Sequence, residues 1–357
     1  MSLLSLKPDP LVGIDISTTA IKLIELSKSG KGYKVESYGI ELLPEKAIED
    51  KKIDADAVET VGNAIAAAVK RAKPKSQFAA IAVAGPEVIT KEITMDRIPD
   101  TDMKELIEDD PATHLGQDIE DIELDFQVIG PNEREPDRVD VLLAACRTET
   151  LEAHTTVLEM AKLTPKVIDI ERYALERAFV MVAENDPDIN EGEIIALIEV
   201  GATTTTMNVL GDNQNIIYSH EELFGGKQLI EQIQSVYELT YEEAHLGTRD
   251  GGLPESYETD VLESFRDEVA QQISIMVQSY YAQSTYGKLS HILISGGCAS
   301  IPNIIEQVET KVGGHVSIAN PLASMSVASR VSKKALADDA PSLMVACGLA
   351  LRTFDEY

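Results

Sequence analysis

The sequence predicts an α/β protein that consists of two related halves. In the first half, residues 11–26 form two apolar, strand-like patterns on either side of a turn rich in hydroxyl groups. A similar pattern recurs at residues 194–210, where an acidic residue, a small residue and a run of threonines separate two apolar stretches. Apolar residues that alternate with small or polar ones are typical of strands with one buried face. Their recurrence roughly half a chain apart indicates two similar halves whose hairpins face each other across a cleft.

The turn of the first hairpin has the chemistry of a phosphate-binding site. Its backbone N–H groups and the hydroxyls of Ser17, Thr18 and Thr19 can donate to phosphate oxygens. Asp15 at the end of the first strand can reach a hydrated Mg²⁺, and Glu199 has the corresponding position in the second copy. Taken alone, the first hairpin is equally compatible with an ordinary core hairpin whose tip is rich in Ser and Thr. The second copy favours phosphate binding.

The charge of the chain excludes some classes of partner. The 357 residues carry a formal net charge of −30. Nucleic-acid binding needs a concentrated basic face, so we expect no nucleic-acid partner. The same charge disfavours adsorption to an anionic membrane. Because no apolar run approaches the roughly 20 residues of a spanning helix, we also expect no direct membrane span.

The N-terminus and the cysteines favour a cytoplasmic location. The first ten residues lack the charged region, apolar stretch and small-residue cleavage site of an export signal. Cys146, Cys298 and Cys347 are scattered and form no CxxC motif, which fits a reducing compartment. We expect them to be small core residues.

The first hairpin continues into a predicted β-β-β-α-β unit, with a strand, a helix and a buried strand at 33–42, 54–72 and 78–84. The following residues, to about 164, have no matching counterpart in the second half and indicate an inserted subdomain. Its predicted elements are strands at 88–98, 122–129 and 139–145, an acidic, poorly periodic segment at 103–115 and a helix at 148–163. Near the C-terminus, we expect a helix that starts at Pro302, an exposed loop at 333–341 and a closely packed helix at 343–351.

Two phosphate-type hairpins followed by a late Gly296-Gly297 turn resemble the actin-like ATPase superfamily. Four motifs are more specifically similar to the PilM family of type IV pilus assembly proteins, and they lie in the same order at 13–19, 168–178, 225–229 and 348–352. The resemblance implies an actin-like (ribonuclease H-like) fold. In it, duplicated β-β-β-α-β-α-β-α domains surround a nucleotide cleft, and an FtsA-like subdomain is inserted. The implied lobes are 9–190, with a peptide-binding insert at about 86–164, and 191–355, with a subdomain at about 222–288.

The resemblance also implies ATP and Mg²⁺ as cofactors, with the metal held through water by Asp15 and Glu199. The implied cofactor-binding residues are Ser17, Thr18, Thr19, Lys22, Gly201, Ala202, Thr203, Thr204, Gly225, Gly226, Lys227, Gln228, Glu243, Gly296 and Gly297. Glu171 matches the position that orients water in hydrolysing relatives, although an acid in a first helical turn is also favoured by the helix dipole. The glycines before Lys227 are equally typical of an ordinary helix start.

For function, the resemblance implies a cytoplasmic ATP-binding protein with weak or no ATPase activity. It would bind the N-terminal peptide of a PilN-like inner-membrane protein, be recruited to that membrane by it, and link the pilus alignment complex to the cytoplasmic machinery for twitching motility. Contacts with other components, including cytoplasmic motor ATPases, and a homo-oligomeric state stay open. One alternative is a nucleotide-free scaffold, because Ser17, Glu199, His245 and Thr248 depart from the superfamily's usual residues. The other is a small-molecule kinase, although no catalytic base is evident.

Overall fold

The computed structural model describes residues 10–49, 51–85, 88–116, 121–212 and 215–354. Within these ranges, the strands form a six-stranded, a five-stranded and a three-stranded sheet. The prediction about an export signal lies on residues 1–9, outside the described part.

The first half begins with the β-β-β-α-β unit, as predicted. Its elements are β1 (Leu11–Ile16), β2 (Ala20–Ser29), β3 (Gly32–Leu42), α1 (Val58–Ala72) and β4 (Phe78–Val83). Helix α1 is amphipathic, because Val61, Ile65 and Ala68 recur at helical spacing and are fully buried. It ends at Lys73, which adopts the left-handed conformation that often terminates helices.

A small unit with its own apolar core follows. It consists of three strands and two helices, which are β5 (Val88–Asp96), α2 (Asp100–Asp109), α3 (Pro111–Leu115), β6 (Ile122–Pro131) and β7 (Arg138–Arg147). The acidic segment that we expected to be poorly periodic forms the two helices. Met103 and Ile107, one turn apart, are buried in the same core as Leu143. Asp110 caps α3 by accepting a hydrogen bond from the backbone N–H of Thr113 at 3.1 Å. The order of this acidic stretch therefore depends on three buried apolar residues, the third being Leu115 in α3, and on one cap.

The chain then returns to the first sheet through α4 (Thr148–Met160), β8 (Thr164–Ile170) and α5 (Glu171–Asn185). Helix α4 packs against α1, since its Val157 and Leu158 lie in the same apolar core as Val61. Strands β1, β4 and β8 are parallel neighbours. Because the carboxyl ends of parallel strands meet at one edge of a sheet, Asp15 and Glu171 lie at the same edge.

The second half repeats the three-stranded antiparallel start and continues with helices and two parallel strands. Its elements are β9 (Ile195–Val200), β10 (Thr205–Leu210), β11 (Ile216–Glu222), α6 (Gly226–Tyr237), α7 (Tyr241–Asp250), α8 (Glu263–Gln283), β12 (His291–Ser295), α9 (Ile304–Val312), β13 (Val316–Ile318), β14 (Ser326–Val327), α10 (Lys333–Asp339) and α11 (Met344–Leu351). In the second sheet, β9 and β12 are parallel, and Ser295 pairs with Glu199. The turn after Ser295 therefore lies beside the second hairpin.

Two expectations for the C-terminal region are wrong. Residues 333–339 form helix α10 rather than an exposed loop, because Ser332 caps the helix and Leu336 is only 3% exposed. In the sequence, Leu336 lies between a pair of lysines and a pair of aspartates, and these charges made the segment look exposed. Helix α9 begins at Ile304, after a short 3-10 helix at Gly297–Ser300, rather than at Pro302.

The C-terminal segment joins the two halves. Strand β14 pairs with β3 and so completes the six-stranded sheet of the first half. Helix α11 packs between β1 and α5, where a Cβ atom on Gly13 would lie 2.1 Å from the carbonyl oxygen of Ala346. A Cβ atom on Gly348 would lie 1.8 Å from the carbonyl oxygen of Ala174. Both positions therefore require glycine. Without side chains there, α11 packs directly against the backbone of β1 and α5 beneath the cleft.

Candidate functional site

The two hairpin turns line one cleft with a volume of about 1540 Å³. Ligand pockets typically measure roughly 300–1,000 Å³, so this cleft has room for an extended ligand. The predicted site residues that line it are Asp15, Ser17, Thr18, Thr19, Lys22, Glu171, Glu199, Gly201, Ala202, Thr203, Thr204, Gly226, Lys227, Gly296 and Gly297.

The first hairpin turn offers hydrogen-bond donors to the cleft. The Ser17 N–H donates to the carbonyl oxygen of Ala20 at 3.0 Å, and the Ser17 hydroxyl donates to the same oxygen at 2.9 Å. Ser17 is therefore occupied in holding the turn. Among the described residues, no hydrogen-bond partner is found for the backbone N–H groups or the hydroxyls of Thr18 and Thr19. These groups are available to an anion.

Three carboxylates and two lysines lie between the turns. Lys22 Nζ donates to Asp15 Oδ2 at 2.9 Å, and Lys51 Nζ donates to Glu171 Oε1 at 2.6 Å. Neither ion pair includes Glu199, which comes from the other lobe. When all five groups are ionised, the set carries one net negative charge.

Burial raises the pKa of Glu199 from its ordinary value of 4.5 to about 7. Lys22 and Lys51 lower this pKa, and Glu171 and Asp15 raise it. Burial by itself lowers the pKa of each lysine, but the attraction of the neighbouring carboxylates outweighs burial and raises both values above 10.5. This set of five groups therefore combines two lysines that stay charged with one carboxylate whose pKa lies near neutrality.

The acidic groups suit a metal that is shared with phosphate. Within the described ranges, no group of three or more His, Cys, Asp or Glu side chains is placed to hold a metal ion by itself. Mg²⁺ usually keeps several waters and uses one or two carboxylates together with phosphate oxygens. Asp15 and Glu199, one from each lobe, fit that pattern of ligands.

The second hairpin turn packs against the start of α6. The N–H of Gly226 donates to the carbonyl oxygen of Gly201 at 2.9 Å, and the N–H of Lys227 donates to that of Ala202 at 2.7 Å. A Cβ atom on Gly225 would lie 2.6 Å from each of these oxygens, so this position requires glycine. The backbone N–H groups of Gly226 and Lys227 are thus used within the protein. The Lys227 side chain still lines the cleft.

Three of the predicted residues, Gly225, Gln228 and Glu243, are not among the residues that line the cleft. Gln228 Oε1 accepts from the N–H of Gly225 at 2.9 Å and caps α6. Glu243 accepts from the N–H of Thr240 at 2.9 Å, which completes a capping box at the start of α7. The spacing of Thr240 and Glu243 is a sequence signal for this structural function. A contact of these residues with a ligand stays a prediction.

The Gly296-Gly297 turn presents bare backbone to the cleft. Gly296 has φ +88°, and a Cβ atom there would lie 2.3 Å from the carbonyl oxygen of Val200. This residue must therefore be glycine for the turn to pack on β9. A Cβ atom on Gly297 would meet no atom within 4 Å. The space beside Gly297 is open to a flat ligand group.

Helix α7 also contributes to the cleft, through His245 and Thr248. The Thr248 hydroxyl donates to the carbonyl oxygen of His245 at 2.8 Å. His245 Nδ1 is buried, and no hydrogen-bond partner for it is found in the part of the chain that the structure describes. Burial lowers the pKa of His245 from its ordinary value of 6.5 and so favours the neutral ring at pH 7.

Sequence reasoning missed Lys51. It lies between β3 and α1, in a segment without a motif, and no residue pattern connects it with Glu171, which is 120 positions away. Its one unusual local feature is a positive φ of 60°, which only the structure reveals.

Across the described residues, no helix is both long enough and apolar enough to cross a membrane.

The chain matches the family model described as type IV pilus assembly protein PilM over residues 13–354. Among solved structures, it is similar to a chain of the PilM–PilN type IV pilus biogenesis complex, with a TM-score of 0.73, 20% identity, and 97% of this chain and 99% of that chain covered. The ethanolamine utilization protein EutJ from Carboxydothermus hydrogenoformans gives a TM-score of 0.56 at 17% identity, with 98% and 91% covered. A glycerol dehydratase reactivase gives 0.52 at 9% identity, with 96% and 99% covered. These likenesses concern the fold, which is the actin-like α/β fold.

Proposed function

The chain belongs to the PilM family of type IV pilus assembly proteins, and on this basis we propose that it is an ATP-binding, actin-like component of the pilus machinery. It binds ATP·Mg²⁺ in the cleft and docks the N-terminal cytoplasmic peptide of a PilN-like inner-membrane protein. It resides in the cytoplasm, reaches the inner membrane through that partner, and links the alignment complex to the cytoplasmic machinery.

The proposal that the chain binds a nucleotide rests on one observation. Two hairpin turns meet in one cleft, where hydrogen-bond donors for phosphate and carboxylates for a metal ion lie together. Thr18 and Thr19 supply N–H groups and hydroxyls to phosphate oxygens, and Lys22 supplies positive charge beside Asp15. A metal ion bound here would neutralise part of the negative charge of the phosphates. Asp15 and Glu199, which line the cleft from the two halves of the chain, would hold that ion through water.

The far end of the cleft fits a nucleoside. Gly297 leaves open backbone against which a base can lie, and Gly296 sets the turn that exposes it. The Lys227 side chain reaches toward a ribose or phosphate oxygen.

Residues from both lobes contact the same ligand, so nucleotide binding favours the closed arrangement of the lobes. The shift is limited to the difference in ligand affinity between the open and closed states. Turnover is slow or absent. Glu171 Oε1 accepts from Lys51, and Glu199 has one methylene more than the usual Asp, so neither carboxylate is in an ideal position for water.

The small three-stranded sheet is the proposed peptide-binding subdomain. Its strand order is β5-β7-β6, so β5 and β6 are its edge strands. Support for a PilN-type partner comes from the family match and from the likeness to a chain of the PilM–PilN complex. Closure of the lobes then changes the affinity of this subdomain for the peptide.

The test is calorimetric titration of nucleotide-free protein with ATP·Mg²⁺, with and without a synthetic PilN N-terminal peptide. We expect saturable binding that Asp15→Ala abolishes and that Asp54→Ala preserves, because the Asp54 carboxylate is exposed and does not line the cleft. We also expect the peptide affinity to change with nucleotide. Peptide binding without any nucleotide binding would make the chain a scaffold and refute the ATP-linked mechanism.

A further inference from the structure

Lys51 is held at the cleft by an unfavourable backbone conformation. It lies at φ 60° in a tight turn closed by a bridge between Glu49 and Lys52. A left-handed conformation is unfavourable for a non-glycine residue. Lys46 in the same loop and Asp121 in another loop share it, and Lys73 and Glu238 share it directly after a helix, where it is common. Lys51 lies in a loop, and its side chain reaches Glu171 in the cleft. What distinguishes Lys51 from Lys46 is therefore its side chain, which lines the cleft and pairs with Glu171.

The ammonium of Lys51 faces acids from both lobes. Glu171 belongs to the first lobe, and Glu199 and Glu221 belong to the second; all three raise the pKa of Lys51 against the effect of burial. The side chain is 29% exposed, so it can still change rotamer. Lys22 differs, because its side chain is 14% exposed and pairs with Asp15 on the same hairpin. Of these two lysines, Lys22 is therefore the more fixed and Lys51 is the one that can move.

A terminal phosphate competes well for this movable cation. If Glu171 orients water toward that phosphate, then Lys51, which already contacts Glu171 at 2.6 Å, is within side-chain reach of it. A phosphate carries more negative charge than one carboxylate and has several acceptor oxygens. Lysine suits such an exchange, because it is a point charge on a flexible stem. A diphosphate lacks the group that would draw Lys51 away from Glu171.

We propose that Lys51 binds the terminal phosphate of a nucleoside triphosphate and returns to Glu171 when that phosphate is absent. The exchange makes Lys51 the residue that distinguishes ATP from ADP. It also frees the Glu171 carboxylate only when a triphosphate is bound. This inference rests on the proposed nucleotide binding and extends it to a residue outside the hairpin motifs.

The first test compares the affinities of Lys51→Met for ATP·Mg²⁺ and ADP·Mg²⁺ by calorimetry. A hydrogen bond between charged groups is worth enough that its loss should weaken ATP binding by about ten- to a hundredfold. ADP binding should change less than about threefold. Lys52→Met is the matched control, since the neighbouring Lys52 only approaches Asp54 and Glu149 at 3.7 Å. It should leave the ratio of the two affinities unchanged.

The second test is a double-mutant cycle with Glu171→Gln, which removes the competitor for Lys51. We expect Glu171→Gln to increase the preference for ATP over ADP, and we expect that increase to vanish in the Lys51→Met background. Equal losses of ATP and ADP affinity in Lys51→Met, or an increase that survives in the double variant, would overturn the inference while leaving nucleotide binding intact. A wild-type chain that binds neither nucleotide refutes the proposed function itself.

Discussion

The substitution Glu199→Gln tests the electrostatics of the cleft without any ligand. Burial raises the pKa of Glu199 to about 7, so this carboxyl group binds its proton more tightly in the folded chain than in the unfolded chain. Between pH 4.5 and 7 the folded state therefore binds more protons, and stability falls as pH rises. Glutamine keeps the shape and cannot ionise, so the variant lacks this loss.

The size of the effect follows from the two pKa values. One pKa unit corresponds to about 1.4 kcal/mol, so a rise from 4.5 to about 7 corresponds to roughly 3 kcal/mol. We expect the free energy of unfolding of Glu199→Gln, relative to wild type, to increase by this amount from pH 4 to pH 8. In wild type, the ionised carboxylate of Glu199 is attracted by Lys22 and Lys51, and the variant lacks this attraction. The pKa of about 7 already includes the attraction, so the expected difference in unfolding free energy needs no separate correction for it.

The measurement is urea unfolding of both nucleotide-free proteins in chelator at several pH values. A second measurement follows the carboxyl carbon of ¹³C-labelled glutamate by NMR, where the signal missing from Glu199→Gln should titrate near pH 7. Parallel pH profiles for the two proteins, or a titration near 4.5, would refute the reasoning. The charge balance inferred for the cleft would then be wrong.

Three further substitutions test other parts of the fold. Hydrogen bonds from neighbouring lysines lower the pKa of Glu36 to about 2, so the stability it contributes is present above pH 4.5 and is lost as pH falls toward 2. Glu36→Gln should therefore cost about 1 kcal/mol at pH 7 in urea unfolding, since exposed lysine partners are screened, and equal profiles would contradict this. Gly296→Ala should lower the unfolding midpoint and the ATP affinity, because its Cβ would lie 2.3 Å from the Val200 oxygen. Gly297→Ala has open space and should keep the midpoint; equal destabilisation of the two variants would contradict the turn geometry.

Much of the architecture could be predicted from local patterns. The strand periods around Asp15 and Glu199 identified both hairpins, and the β-β-β-α-β order followed from strand and helix spacing. These features are visible because side chains alternate with a period of two in strands and 3.6 in helices. The expected meeting of both turns in one cleft depended on the internal similarity of the halves, and the structure places both in the cleft lining.

Other features depended on contacts between distant residues. Helix α10 forms because Leu336 enters a core that also contains Val35, from the opposite end of the chain. Gly225 looked like a ligand-facing glycine, but the carbonyl groups of Gly201 and Ala202 approach it closely. No local pattern reveals which surface a glycine must approach.

The sequence by itself determined the two hairpins, their duplication and the acids that end their first strands, because these depend on residue types at short spacing. Only the tertiary structure decided which donors remain available. Within the part of the chain that the structure describes, the N–H groups of Thr18 and Thr19 have no hydrogen-bond partner, whereas those at the start of α6 donate to the second hairpin. It also brings Lys51 to Glu171 across 120 positions. Hydrogen bonds and ion pairs depend on distances in space, and those distances are set only when the whole chain has packed.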